Sequence, residues 1–208
     1  MQTITDPRTV FTNAMQLGGS VVAAVRPDQL DNATPCTDYS ARRLLGHMVG
    51  VLHRVAVLGQ GGDGMSVPAE VSGVADDGWA QAWKAGAVDV ETAWADEAAM
   101  TRTYTFPWAV HDGAATLAMY TSELSVHTWD LARATGQHPA WDDDVLAVSL
   151  ASIQIDLPGG NRAAMFEAMR ETMPPELRDF ACPFAEVVNV PDDAPLIDRL
   201  VAWTGRQP

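Results

Sequence analysis

Hydrophobic positions recur at helical spacing over most of the chain. Val10, Phe11, Met15, Leu17, Val21, Val22 and Val25 follow Asp6-Pro7, a capping residue with proline at the first helical position, and Arg26-Pro27 closes the run. The segment PDQLDNATPCTDYS reads as loop. Ser40 then caps a helix striped by Leu44, Leu45, Met48, Val51, Leu52 and Val55, which stops in the glycines of GQGGDG at 59–64. After a loop over 62–75, a long helical stretch from about Asp76 to near Thr101 carries Trp79, Trp83, Val90 and Trp94. RTYTFPWAV is short, aromatic and β-branched, and reads as a strand or an extended crossing. Asp112-Gly113 opens a long helix through Arg133 with Gly136 as its stop, and Asp142 to Asp144 open another. A short helix over 163–173, a strand-like run from Ala185 to Val190 and a helix within Pro195 to Gly205 complete the pattern.

The pattern predicts a mainly α fold, an up-and-down four-helix bundle with a small C-terminal α/β extension. The bundle is expected over residues 1–140, with the helices and short strand of 141–208 packed on it. There is no βαβ alternation and no glycine-rich phosphate loop, which argues against nucleotide binding by those routes.

Composition narrows the partners. The net charge is −14, and Lys84 is the only lysine. Phosphate backbones and anionic membrane surfaces both call for clustered basic residues, so neither nucleic acid nor membrane is expected as a partner. No run of 18 apolar residues and no leader pattern is present, and Cys36 and Cys182 do not form a disulfide framework. A cytoplasmic protein with reduced thiols is expected, as monomer or homodimer, each cysteine serving as a small hydrophobe.

Three residues break the apolar stripes. His47 shares its stripe with Leu44, Met48 and Val51; Glu123 and His127 share theirs with Tyr120, Leu124 and Leu131. Residues four apart on a helix are offset by about 40° and about 6 Å, so Glu123 and His127 face the same way. A carboxylate on an apolar face needs compensation, and a divalent cation held by two histidines and one glutamate supplies it. Imidazole and carboxylate without thiolate suit zinc, with iron, nickel and manganese as alternatives, and three protein ligands leave a fourth position open, as in catalytic zinc sites. His53 lies about 240° round the helix from His47, off that face. His111 reads as a residue at a helix start and His138 as a loop residue. An unconnected Glu–His pair on a solvated helix remains the alternative to a metal site.

At these residues the chain resembles a family. TPCTDYSARRLLGHMVGV and TSELSVHTWDLARATGQ are similar to two motif blocks of the DinB-like, mycothiol-dependent maleylpyruvate isomerase superfamily. VPDDAPLIDRLVAWTGRQP resembles the tail of one actinobacterial branch. Tyr39 stands where the family often has tryptophan and Thr128 where glycine is common. The resemblance implies a four-helix bundle holding a divalent metal, typically zinc, on His47, Glu123 and His127, with mycothiol as thiol cofactor. Trp129 is expected to pack between helices. Asp130 either bonds locally or orients a ligand imidazole; Arg133 is a candidate for an anionic substrate; Tyr104 and Trp108 are candidates for the pocket wall.

With no cysteine expected at the site, the nucleophile is external. Mycothiol, held as thiolate, adds to a small electrophile and yields either an S-conjugate or a cis–trans isomerisation. A hydrolase using metal-bound water is a second reading, and a non-catalytic, metal-stabilised bundle that binds a small molecule is a third.

Overall fold

The computed structural model describes residues 5–170 and 184–208. Among these the fold is mainly helical. Asp6 accepts a hydrogen bond from the Arg8 N–H and caps α1 (Pro7–Ala23), and Ser40 does the same for α2 (Ala41–Gly59) through the Arg43 N–H. The predicted helix from Asp76 to Thr101 is two helices, α3 (Trp79–Trp94) and α4 (Glu97–Thr101). Asp96 causes the break: its carboxylate accepts from the Ala98 N–H, and an aspartate that caps a new helix cannot also continue the old one.

RTYTFPWAV turns back on itself as an antiparallel hairpin of β1 (Tyr104–Thr105) and β2 (Val110–His111), pairing Tyr104 with His111. Asp112 caps α5 (Gly113–Thr135) through the Ala115 N–H, and Gly136 ends it at φ 69°, a left-handed conformation that costs glycine little. Asp142 caps α6 (Asp143–Asp156); α7 (Arg162–Arg170) and α8 (Leu196–Trp203) follow. The end of the helix predicted over 163–173, and Cys182, lie outside the described residues.

α1 packs on α5 and α3, and α2 packs on α3 and α5. Between them lies one large core with Phe11, Leu44, Leu52, Trp83, Leu117 and Leu124. Two of the indoles buried there find acceptors: Trp83 donates to the Met15 carbonyl at 3.2 Å and Trp94 to that of Val55 at 2.8 Å. α6 packs on both α5 and α8, and a second cluster around Trp129, Leu146, Leu150 and Leu200 fills the space, so Trp129 is an interhelical packing residue as expected.

The run Ala185–Val190 was expected as a strand and forms none. Its polar backbone is used otherwise: the Val188 N–H donates to the Ala202 carbonyl, and the Ala185 carbonyl accepts from the fully buried Arg162. Arg162 also donates to the carbonyls of Pro158 and Trp203 and ties this segment to the end of α8. No described helix is long and apolar enough to cross a membrane.

Candidate metal centre

α2 and α5 bring His47, Glu123 and His127 together. One ligand-type atom from each lies within 4.8 Å of the others, and His47 Nε2 stands 3.2 Å from Glu123 Oε1. The two imidazole rings meet edge to face, 4.9 Å between centroids. The side chains keep 12%, 27% and 14% of their surface exposed in that order, so a small molecule can reach the cluster.

Each ring is held by its other nitrogen. His47 Nδ1 lies 2.9 Å from the Ala69 carbonyl, and since a carbonyl only accepts, Nδ1 carries the proton. His127 Nδ1 lies 3.1 Å from Asp130 Oδ2, and a carboxylate fixes the proton there in the same way. Both Nε2 atoms are thereby left for the cluster.

The hold on His47 depends on close backbone approach. The segment carrying Ala69 and Val71 lies directly on α2, where the Val71 N–H donates to the Gly46 carbonyl at 2.9 Å. A Cβ at Gly46 would stand 2.5 Å from the Val71 oxygen, and one at Gly50 3.0 Å from the Ala69 oxygen. Gly46→Ala is therefore expected to push this segment off the helix, at a cost of about 1–3 kcal/mol. It should also release His47 and weaken metal binding. Thermal unfolding and metal titration of the same variant check both effects.

The hold on His127 continues outward. Arg206 clamps Asp130 in a bidentate pair, Nε to Oδ1 and Nη2 to Oδ2, both 2.8 Å. Asp130 is fully buried. Burial alone would raise its carboxyl, but the donors on His127 and Arg206 outweigh that and hold it below its ordinary range. Burial depresses His127 and keeps it neutral. For His47 burial acts the same way but is outweighed by Glu123, which lifts the imidazole above its usual range. Burial works against the charge on Glu123, but His47 outweighs it and keeps the carboxylate ionised. Asp130 thus bonds an arginine, as one of the two options had it, and also lies against the His127 ring, as the other had it. Arg206 was missed: it belongs to the motif-bearing tail, but nothing in the sequence pairs it with a carboxylate 76 positions earlier.

The remaining candidates sit elsewhere. Tyr104 stacks on Trp94 at 5.5 Å and donates its hydroxyl to the Ala99 carbonyl, so it is a core residue. Trp108 is 48% exposed at the hairpin turn and stacks on Phe106. The Arg133 guanidinium lies over the Trp129 ring, 5.4 Å from its centroid, on an exposed part of α5. His53 turns toward Gly86 of α3; His111 pairs with Asp156 at 3.1 Å; His138 is in coil.

Contrary to expectation, a cysteine does stand nearby: Cys36, His127 and Asp130 form a second trio with ligand-type atoms within 4.8 Å. Asp130 in that trio is already neutralised by Arg206, whereas Glu123 has no guanidinium within ion-pairing distance among the described residues. The His47–Glu123–His127 set is therefore the one whose carboxylate has no guanidinium partner among the described residues. Burial pushes the Cys36 thiol up, which makes it a poor nucleophile.

A mainly helical chain with two facing helices that converge imidazole and carboxylate is what the sequence comparisons place in a family. Residues 11–132, more than half of the chain, match the family described as the mycothiol maleylpyruvate isomerase N-terminal domain, a DinB-like family, and the chain belongs to it. Two curated proteins from two strains of Mycobacterium tuberculosis, both described as uncharacterized, are each 28% identical over 201 residues, covering 97% of this chain and 98% of their own length. No solved structure matches the chain.

Proposed function

We propose that the protein is a metal-dependent thiol-cofactor enzyme, a mycothiol S-transferase or mycothiol-dependent isomerase acting on a small electrophile. His47, Glu123 and His127 would hold the cation, with zinc favoured by the donor set. The observation that carries this reading is the convergence of two protonated-at-Nδ1 imidazoles and one carboxylate on a single point. Two ligand atoms each about 2.0 Å from one cation, at the tetrahedral angle, stand about 3.3 Å apart. His47 Nε2 and Glu123 Oε1 are 3.2 Å apart. A bare imidazole lone pair facing a carboxylate at that distance repels it, so the pair needs a proton or a metal ion between.

Within the proposed reading, α1, α2, α3 and α5 form the four-helix bundle, residues 1–140 carry the ligands and 141–208 buttress them through Arg206. The site would work in the cytoplasm, where thiols stay reduced. When bound, the cation supplies the Lewis acidity that keeps a thiol sulfur deprotonated at neutral pH. Ala69 and Asp130 fix the ring orientations, so the donor set is built before any ligand arrives. Glu123 contributes a single negative charge, which leaves the loaded site positive and suited to a thiolate. Cys36 stays a thiol, so the attacking sulfur comes from the cofactor. The thiol family in the name of the matched domain supports mycothiol as that cofactor.

The test is elemental analysis of the purified protein, followed by transfer of mycothiol to a model electrophile before and after chelation. About one divalent ion per chain, with activity lost on chelation and regained on reloading, is expected. A chain that is metal-free as purified and transfers thiol equally after chelation would overturn the proposal. A chelated protein that unfolds would instead favour a structural metal.

A further inference from the structure

His127 belongs to two groups of ligand-type atoms. On one side it meets His47 and Glu123; on the other it meets Cys36 and Asp130, whose ligand-type atoms lie within 4.8 Å of one another and of the imidazole. The Cys36 thiol is half-buried and free, and the loop that carries it fixes its position. Ala33 bridges Ser40 at the neck of that loop, and the Cys36 carbonyl accepts from the Tyr39 N–H at 2.8 Å and from the Thr34 hydroxyl at 2.9 Å. Cys36 thus brings to His127 a soft donor that the imidazole and carboxylate trio lacks.

Asp130 is not available to a cation on this side. Arg206 holds both of its oxygens at 2.8 Å, so two donors remain, the Cys36 sulfur and a His127 nitrogen. Two are too few for zinc, which takes four, but they suit a thiophilic monovalent cation such as copper. Space agrees. Sulfur and nitrogen bonded to one cation at about 2.3 Å and about 2.0 Å stand about 4.3 Å apart when the three atoms are in line, within the 4.8 Å that encloses the trio. Charge agrees as well. Arg206 and Asp130 are both felt at Cys36 and offset each other. A monovalent cation that replaces the thiol proton leaves the local charge unchanged, whereas a divalent one adds a positive charge beside Arg206.

We propose that Cys36 and His127 form a site for monovalent copper, and that copper bound there excludes the divalent cation from His47, Glu123 and His127. The Cys36 S–H releases its proton to solvent as the sulfur–copper bond forms, and copper keeps its oxidation state. Exclusion follows from the shared ring. A neutral imidazole has a single lone pair, so whichever nitrogen takes the copper, none is left for the second cation. Copper at Cys36 therefore shuts off any reaction that needs the divalent ion. Only this exclusion rests on the metal reading above; the copper site stands on Cys36 and His127.

The test uses the metal-free full chain carrying Cys182→Ser, which leaves Cys36 as its single thiol. Cys36→Ser, Cys36→Ala and Glu123→Gln are compared with this parent in the same background. Monovalent copper is titrated without oxygen against a chromophoric copper chelator, and zinc against a chromophoric zinc chelator. Both Cys36 variants are expected to bind copper at least about tenfold more weakly, without the ultraviolet sulfur-to-copper charge-transfer band, and to bind zinc within about twofold of the parent. Glu123→Gln is expected to do the reverse. One equivalent of copper should release zinc from the zinc-loaded parent more completely than from either Cys36 variant. Equal copper affinity in the parent and both Cys36 variants overturns the proposal, as does copper held by Cys36 beside undisplaced zinc. Cys36 variants that lose zinc and copper alike would make Cys36 a ligand of one common site, and overturn it too. A parent chain that holds copper through Cys36 but binds no zinc defeats the divalent-metal reading and leaves the copper site standing.

Discussion

His127→Ala is expected to lower divalent-metal affinity by on the order of 10²–10³-fold and to abolish metal-dependent thiol transfer. About 10–16 kcal/mol of zinc affinity, shared over the ligands of a site, assigns roughly 3 kcal/mol or more to each. The loss is not made good locally. His47 and Glu123 alone give one nitrogen and one oxygen donor, and Asp130, freed from His127, remains clamped by Arg206. The side chain is partly exposed at the cluster, so the fold should survive the truncation. Competition against a chromophoric chelator, with circular dichroism as the control, measures the effect. Unchanged metal affinity and unchanged transfer in a folded variant would remove His127 from the site.

The second large effect belongs to a residue that touches no proposed ligand atom. Arg206→Met leaves Asp130 fully buried with only His127 to compensate it. Removing one partner of a buried ion pair costs about 3–5 kcal/mol, because the surviving charge stays desolvated. Loss of an orienting partner behind a ligand histidine costs about 10–100-fold in metal affinity. Both effects are expected together in Arg206→Met. The double variant Arg206→Met/Asp130→Asn should recover part of the stability, since no charge is then stranded, without recovering the metal affinity. Chemical denaturation and metal titration of the two variants separate these outcomes. A surface role for Arg206 predicts near-zero change in both.

Acid provides an independent check on the same pair. Asp130 is held below its ordinary range in the folded state. Its contribution to stability is then present above the unfolded carboxyl value near about 4 and is lost as pH falls through the folded value. Asp130→Asn should flatten that acid limb of the stability curve. A limb identical to that of the wild type would mean the stabilisation comes from other carboxylates.

Much of this was legible from residues alone. The caps Asp6 and Ser40 act as read and helices open at Asp112 and Asp142 as read, because an N-cap is a contact within a few residues. The converging trio His47, Glu123 and His127 was legible because polar residues on apolar stripes betray themselves without knowledge of the fold. The departures have different causes. The helix break at Asp96 turns on a local competition between capping and continuing a helix that apolar periodicity does not register. The run Ala185–Val190 has the composition of a strand, but a strand needs a partner and here α8 and Arg162 take its backbone groups instead. Tyr104 stacks on Trp94 and the Arg133 guanidinium lies over Trp129, contacts that spacing along the chain does not register.

Sequence by itself therefore determined the helical character, most helix starts, the family and the three side chains that converge, since each is a property of spacing along one element or of a contiguous motif. Tertiary structure alone decided which nitrogen of each histidine faces the cluster. It set the Ala69 segment on Gly46, clamped Asp130 with Arg206 and brought Cys36 beside His127. Each of these is a contact between residues far apart in the chain, and one-dimensional periodicity fixes the face a side chain leaves from but not the partner it meets.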